Sequence, residues 1–165
     1  MIAIAVTGHI DLTEAGVPLV RQALRDALRP YEPEGITGLS CLAGGTDSLF
    51  AEAVLAAGGR LVAVIPSRDY RERQVSPAHA ETFDRLVEAA DEVVVLGHER
   101  ADGQAYENAN RVLLERADRL IAVWDGESSA ARGGTATAVA EAHRLGLPVD
   151  VIWPAGAGRA SGGRS

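Results

Sequence analysis

Lysine is absent from this sequence, because all 16 basic residues are arginine. A P-loop lysine and a Schiff-base lysine are therefore excluded. Cysteine occurs once, at Cys41, which excludes an intramolecular disulfide framework and indicates a reducing compartment. No apolar run approaches the ~18 residues of a membrane-spanning helix, and the opening MIAIAVTGHI lacks the basic region of a signal peptide. These absences predict a cytoplasmic protein with no membrane contact.

Excess positive charge is also missing, since the formal net charge is −7. A non-specific nucleic-acid binder needs a basic face, so a nucleic-acid partner is not expected. The arginines within 68–73 form the one cluster in the sequence that is a candidate contact surface for a nucleic acid. His79, His98 and His143 show no metal-ligand spacing with each other or with Cys41, so no metal site is predicted. The absence of a G-x-S-x-G elbow leaves Ser/His/Asp catalysis without support.

Six short runs are almost continuously apolar, which is typical of strands that a parallel sheet buries on both faces. These predicted strands cover residues 2–7, 36–42, 60–65, 92–96, 119–124 and 148–153. Amphipathic stretches, predicted to be helices, cover residues 14–29, 47–57, 79–90, 104–117 and 135–145. Their alternation predicts a three-layer α/β fold, with a mostly parallel sheet of about six strands and helices on both faces. We expect one domain over residues 1–154 and a flexible Gly/Ser/Ala-rich tail over residues 155–165.

Ligands of open α/β sheets bind outside the carboxyl ends of the strands, so the residues that follow each predicted strand are site candidates. After the first strand come Thr7, Gly8 and His9, where glycine allows close approach, and His9 either hydrogen-bonds a ligand or is a surface residue before a capped first helix. Asp125 follows the fifth predicted strand and either contacts a ribose or acts as an acid/base group, or only begins a turn with Gly126. The polar segment 66–78 is either a lid that brings Arg68 onto a phosphate or a solvated loop.

Two Gly-Gly-Thr turns each join a predicted strand to a predicted helix. Their candidate residues are Gly44, Gly45, Thr46 and the following Asp47 in the first turn, and Gly133, Gly134 and Thr135 in the second. Backbone amides at a helix N-terminus attract anions, and glycine lets the backbone approach a ligand closely. Each turn alone is equally well explained as an ordinary helix cap. Two such turns on one sheet edge favour a shared phosphate site.

These motifs together resemble the SLOG superfamily, a Rossmann-like group that includes Smf-type DNA-processing proteins, LOG phosphoribohydrolases and YpsA-like proteins. The opening VTGHIDLT resembles the first strand and loop of that group, and GLSCLAGGTDSLFAEAVLAAGGRLVAVIP resembles the nucleotide-binding stretch of the DNA-processing proteins. The later ADRLIAVWDGESSAARGGTATAVAEAHRLGLPV is similar to LOG enzymes and to nucleoside deoxyribosyltransferases. The resemblance covers residues 2–153 and implies a three-layer Rossmann-like fold with a nucleotide-type ligand.

The chain departs from the enzymes of this group at one position. LOG enzymes and deoxyribosyltransferases place a catalytic glutamate three residues after the Gly-Thr pair, where this sequence has Ala138. Alanine can neither attack an anomeric carbon nor stabilise an oxocarbenium-like charge. The carboxylates considered as replacements are Asp47, Glu107 and Asp125.

We therefore expect a protein that binds a nucleotide or nucleotide-derived ligand at the carboxyl edge of the sheet, as a sensor or carrier and with no required cofactor. The alternative is an N-glycosidic hydrolase or transferase that acts on nucleoside 5′-monophosphates. In both cases the phosphate lies on the two turns, with Arg68 as the charged partner. Small α/β proteins often dimerise through helices, so a homodimer is a further expectation. The DNA-processing resemblance implies single-stranded DNA and a recombinase as partners, which the acidic charge disfavours.

Overall fold

The structure is a computed structural model, and it describes residues 1–128 and 134–160. One parallel sheet contains β1 Ile2–Gly8, β2 Ile36–Ser40, β3 Arg60–Ser67, β4 Glu92–His98, β5 Arg119–Val123 and β6 Val149–Ile152. The α-helices of the described part are α1 Gly16–Leu28, α2 Thr46–Ala56, α3 Tyr70–Gln74, α4 Pro77–Ala89, α5 Gly103–Arg116 and α6 Thr135–Arg144. A 3-10 helix, Arg29–Glu34, follows α1. The predicted α/β fold with a six-stranded parallel sheet is confirmed.

Helices cover both faces of the sheet. Helices α1, α2 and α4 pack on one face, where Phe50 is the largest fully buried side chain. Helices α5 and α6 pack on the other face, around Leu113 and Val139. Neighbouring residues of a strand point to opposite faces, so Ile4 contributes to the first layer and Ala5 to the second. None of the described helices is both long and apolar enough to cross a membrane.

The strand order creates a point where the direction of sheet building reverses. The order is β4-β3-β2-β1-β5-β6, so the chain builds outward from β1 to β4 and then returns to place β5 on the other side of β1. The carboxyl ends of β1 and β5 lie level, because Gly8 pairs with Val123. Open α/β sheets bind ligands in the crevice at such a switch point. This topology therefore positions the segment after β1 and the segment after β5 beside each other.

The prediction that the strands are buried on both faces is wrong at the two edges of the sheet. Val93 and Val95 of β4 are 42% and 53% exposed, and Val151 of β6 is 52% exposed. Both are edge strands, and the helical layers cover the edges of a sheet less completely than its centre. An apolar run alone does not distinguish an edge strand from a central one.

The polar segment 66–78 contains the short helix α3, which the sequence analysis does not predict. Tyr70 begins this helix and is 3% exposed. Its ring packs against Phe83 and Tyr106, with ring centroids 6.0 Å and 6.3 Å away. A core residue thus attaches this segment to the rest of the protein.

Candidate functional site

His9 and Asp125 meet at the switch point, although they are 116 residues apart in the chain. The His9 amide continues the strand pairing by donating to the Val123 carbonyl at 3.3 Å. The Asp125 amide donates to His9 Nε2 at 3.1 Å, and Asp125 Oδ1 lies 3.2 Å from the same nitrogen. Their side chains are 8% and 13% exposed. The structure therefore brings two of the predicted site residues together in a mostly buried pair.

The His9 ring is neutral in this arrangement. Because a backbone N–H donates to Nε2, we assign the ring proton to Nδ1. Burial lowers the pKa of His9, and the positive charge of Arg159 lowers it further, while Asp125 acts in the opposite direction. Trp153 packs edge to face against the ring at 5.5 Å between centroids. His9 thus accepts a hydrogen bond within the protein and is not half of a charged pair.

The segment 155–160 packs against the loop that follows β1. Leu12 and Arg159 form an antiparallel bridge, and backbone hydrogen bonds flank it on both sides. Arg159 is 9% exposed, and its Nε donates to both carboxylate oxygens of Asp11, at 2.9 Å and 3.1 Å. The remaining residues of the predicted tail, 161–165, lie outside the described residues.

Sequence reasoning missed Arg159 as a member of this site. It lies in a segment whose Gly/Ser/Ala composition predicts mobility. Its carboxylate partner Asp11 is 148 residues away in the chain, so no local spacing indicates the pair. The available signal was the position of Asp11 in the loop that follows β1, three residues after Gly8, since ligands and their polar partners collect at that edge.

The first Gly-Gly-Thr turn packs tightly against the loop after β1. Thr46 is fully buried, and its amide and hydroxyl donate to the His9 carbonyl at 3.3 Å and 3.0 Å. A Cβ on Gly8 would lie 2.3 Å from Thr46 Cγ2, and a Cβ on Gly45, whose φ is +71°, would lie 2.8 Å from the His9 carbonyl oxygen. Both glycines therefore permit the approach of these two segments. The Thr46 amide is engaged within the protein.

Gly44 forms the open side of this turn. Apart from its chain neighbours, a Cβ built on Gly44 would meet His79 Cγ first, at 4.0 Å. Two residues earlier, Leu42 has a φ of +57°, a strained conformation for a large side chain. The Leu42 amide donates to Ser40 Oγ at 3.0 Å, and the Leu42 carbonyl lies 3.0 Å from His79 Nε2. These two contacts hold the strained residue directly before the turn.

Asp47 lies on the first turn of α2 and is 9% exposed. Its Oδ2 accepts one long hydrogen bond, of 3.4 Å, from the Ala43 amide. Burial raises the pKa of Asp47 from 3.8 to about 7. Burial likewise raises the pKa of the Cys41 thiol, and the Asp47 charge adds to that shift. Among the described residues, no three His, Cys, Asp or Glu side chains are grouped to hold a metal ion.

Arg68 lies at the carboxyl end of β3, two strands from β1. Its Nη1 lies 2.6 Å from Glu99 Oε1, and the two side chains are 63% and 71% exposed. The residue predicted as the charged partner of the ligand therefore stands in a solvent-exposed ion pair. Glu107 is partly buried on α5, where it interacts with other protein groups.

The second Gly-Gly-Thr turn is described from Gly134 onward, and Gly133 lies outside the described residues. Gly134 precedes α6, which Thr135 begins. Helix α6 packs on the face of the sheet opposite to α2, so the two helix N-termini flank β1 from opposite faces. Ala138 is 2% exposed on the first turn of α6. This position carries no acid, base or nucleophile.

The strand order and the parallel sheet define a Rossmann-like α/β protein. No protein-family model and no curated protein sequence matches the chain. DNA processing protein A from Streptococcus pneumoniae is similar in structure, with a TM-score of 0.69, 22% identity, and coverage of 94% of this chain and 51% of that chain. This chain therefore spans about half of the length of that protein.

Two further solved structures are similar. DNA processing protein A from Helicobacter pylori, solved for its single-stranded DNA binding mode, has a TM-score of 0.68 and 17% identity, over 97% of this chain and 69% of that chain. The molybdenum cofactor carrier protein from Chlamydomonas reinhardtii has a TM-score of 0.57 and 20% identity, over 90% of this chain and 74% of that chain. These likenesses confirm the predicted Rossmann-like fold.

Two expectations from the sequence are corrected. The expectation of no required cofactor is wrong, because proteins that share this fold include molybdenum cofactor carriers. The expectation of no nucleic-acid partner is not supported, because a protein with this fold binds single-stranded DNA. At identities of 17% to 22%, the likeness establishes the fold and leaves the ligand to be found.

Proposed function

We propose that this chain binds a nucleotide or a nucleotide-derived cofactor in the crevice between the carboxyl ends of β1 and β5, as its carrier or sensor. The observation that carries the proposal is the mostly buried pair of His9 and Asp125 at the switch point. The Asp125 carboxylate is an acceptor suited to ribose hydroxyls. A carrier role is supported by the similar fold of the molybdenum cofactor carrier protein.

The phosphate end of the ligand is assigned to the first Gly-Gly-Thr turn. The N-terminus of α2 presents backbone amides and the positive end of the helix dipole to an anion. Gly44 leaves room for the ligand, while Thr46 ties the turn to the segment that carries His9. Ribose and phosphate contacts thus come from adjacent segments.

Two measurements test this proposal. Mass spectrometry of small molecules released from the natively purified protein identifies a ligand that copurifies. Thermal unfolding with millimolar AMP, ADP, GMP or CMP detects binding, because a ligand of the folded state raises the Tm by mass action. The proposal is wrong if nothing copurifies and no nucleotide raises the Tm.

A matched pair of variants locates the site. Asp125→Asn is expected to reduce the nucleotide-dependent rise in Tm. Asp150→Asn is the control, because Asp150 pairs with Arg119 near the amino ends of β5 and β6. The control variant should show the same nucleotide-dependent rise as the wild type.

A second candidate function, N-glycosidic hydrolysis or transfer, is favoured by Asp47. With a pKa raised to about 7, this carboxyl is partly protonated at neutral pH and is suited to protonating a departing base. Glycosidic cleavage commonly uses a second carboxylate, for which Glu107 and Asp125 are the candidates. Chromatography of nucleoside monophosphates incubated with the protein detects free base. Release that Asp47→Asn abolishes and Asp150→Asn preserves would support this function, and no release would exclude it for those substrates.

A further inference from the structure

Arg159 is buried to an unusual degree for an arginine of this protein. Its side chain is 9% exposed, whereas the other arginines in ion pairs of the described part are 24% to 68% exposed. Asp11 holds it from one side, through Nε alone. The guanidinium stands between this anchor and the Asp125 carboxylate, whose Oδ2 lies 3.8 Å from Arg159 Nη1.

The anchored guanidinium has N–H donors left over. An arginine side chain carries five N–H donors, and Nε supplies one of them. The 3.8 Å separation between Nη1 and Asp125 Oδ2 exceeds a hydrogen bond, and neither Nη1 nor Nη2 donates to an acceptor among the described residues. No fully enclosed side-chain nitrogen or oxygen of the described residues lacks a partner, so both terminal nitrogens keep some exposed surface. Their N–H donors are therefore open to an acceptor from outside the protein, which is water or a ligand oxygen.

We infer that Arg159 binds an oxyanion of the ligand that occupies the switch-point crevice, and that this ligand is a sugar phosphate. This inference rests on the proposed function, and it adds Arg159 to the phosphate contacts assigned there to the first Gly-Gly-Thr turn. Asp11 holds the Nε side of the guanidinium, so the edge formed by Nη1 and Nη2 faces a phosphate, which arginine binds with two parallel hydrogen bonds.

The neighbouring Asp125 explains why the ligand carries a sugar as well as a phosphate. Its carboxylate accepts hydrogen bonds from hydroxyl groups and repels a bare anion. A hydroxyl donor on Asp125 and an oxyanion on Arg159, a few ångströms apart, are the groups that a ribose phosphate presents together. Ribose 5-phosphate is therefore expected to bind more tightly than inorganic phosphate.

The test is a double-mutant-type cycle, in which the Arg159 guanidinium and the phosphate of the ligand are removed separately and together. Isothermal titration calorimetry gives the Kd of AMP and of adenosine for the wild type and for Arg159→Gln. Loss of a bidentate charged contact is expected to raise the Kd of AMP by roughly 10–100-fold. The Kd of adenosine should stay within about twofold of the wild-type value. Arg159→Lys keeps the charge without the fork and should lose an intermediate amount.

The control variant is Arg119→Gln, which breaks a bidentate pair with Asp150 at the amino ends of β5 and β6, away from the crevice. It should leave AMP binding unchanged. Equal AMP affinity in wild type and Arg159→Gln would overturn the inference while leaving the proposed function intact. Tighter AMP binding in that variant would also overturn it, because Arg159 would then block the crevice. If Arg159→Gln fails to fold, wild-type AMP affinity in Arg159→Lys overturns the inference. A wild type that binds none of AMP, adenosine and ribose 5-phosphate also overturns the inference, whereas the proposed function is wrong only if, in addition, nothing copurifies and no other nucleotide raises the Tm.

Discussion

Two regions at the carboxyl edge of the sheet bury ionisable side chains. The switch-point region contains His9, Asp11, Asp125 and Arg159, and the α2 region contains Asp47. They differ in the partners that they give to the buried groups. In the switch-point region, Asp11 and Asp125 both lie within ion-pair distance of Arg159, and His9 accepts a backbone hydrogen bond. In the α2 region, the Asp47 carboxylate has one 3.4 Å hydrogen bond and no ion pair among the described residues. The carboxylates of the switch-point region thus have a cationic partner, whereas the Asp47 carboxyl group is buried without one among the described residues.

Burial moves the pKa values of the two regions in opposite directions, and the charge of Arg159 lowers the pKa of His9 further. Burial disfavours the charged form, so it raises the pKa of a carboxyl group and lowers that of a histidine. Asp47 therefore favours its protonated form and His9 its neutral form.

The largest effect is expected for Gly8→Val, because Gly8 lies where the two regions touch. A Cβ there would lie 2.3 Å from Thr46 Cγ2 and 2.6 Å from Thr46 Cβ, so both backbones must move. We expect a loss of about 4 kcal/mol or more in the free energy of unfolding, above the usual range for overpacking. Urea denaturation measures it. Gly97→Val is the control, since nothing lies within 4 Å of a Cβ at that position, and equal losses in both variants would contradict the prediction.

Asp47→Asn is expected to change the pH dependence of stability next most strongly. The folded-state pKa of about 7 exceeds the ordinary 3.8, so the folded state binds more protons between these values and wild-type stability falls as pH rises through them. We expect the variant to lose this slope and to be more stable than the wild type at pH 8, by on the order of 2–4 kcal/mol. Thermal unfolding between pH 4 and pH 8 measures it. A wild-type slope that persists in the variant would refute the assignment.

Arg159→Gln is expected to destabilise the protein by about 2 kcal/mol, because it removes the ion pair of Arg159 with the 19%-exposed carboxylate of Asp11. Arg68→Gln is the matched control, because it breaks a solvent-exposed ion pair. It should lower the free energy of unfolding by less than about 1 kcal/mol. Urea denaturation of both variants measures the difference. Equal costs would show that the switch-point pair is no more desolvated than a surface pair.

The smallest effect is expected from His9. Its lowered pKa means that the unfolded state binds a proton first on acidification, so the His9 contribution to stability is complete above pH 6.5 and is lost as pH falls toward the folded pKa. His9→Gln should reduce this acid-side slope. NMR titration of the His9 ring checks the direction, and a pKa above 6.5 would contradict the neutral assignment.

The sequence allowed the strands, most helices and the candidate edge to be predicted. The repeat of apolar residues follows from the backbone geometry of each element, because side chains alternate along a strand and recur about every 3.6 residues along a helix. This repeat can therefore be seen in the sequence itself. The short helix α3 was missed, because Tyr70 is an isolated apolar anchor within a polar segment. Exposure of Val93 and Val95 was missed, because strand order decides which strands lie at the edge.

The polar residues at the carboxyl ends of the strands can be identified from the sequence, because parallel strands bring those ends to one edge. The contact of His9 with Asp125, the hydrogen bond of Thr46 to the His9 carbonyl and the contact of Arg159 with Asp11 depend on the packed fold. These contacts join segments far apart in the chain, and the protonation of His9 and Asp47 follows from the burial that results. Desolvation is a property of the packed molecule, so no local pattern encodes it.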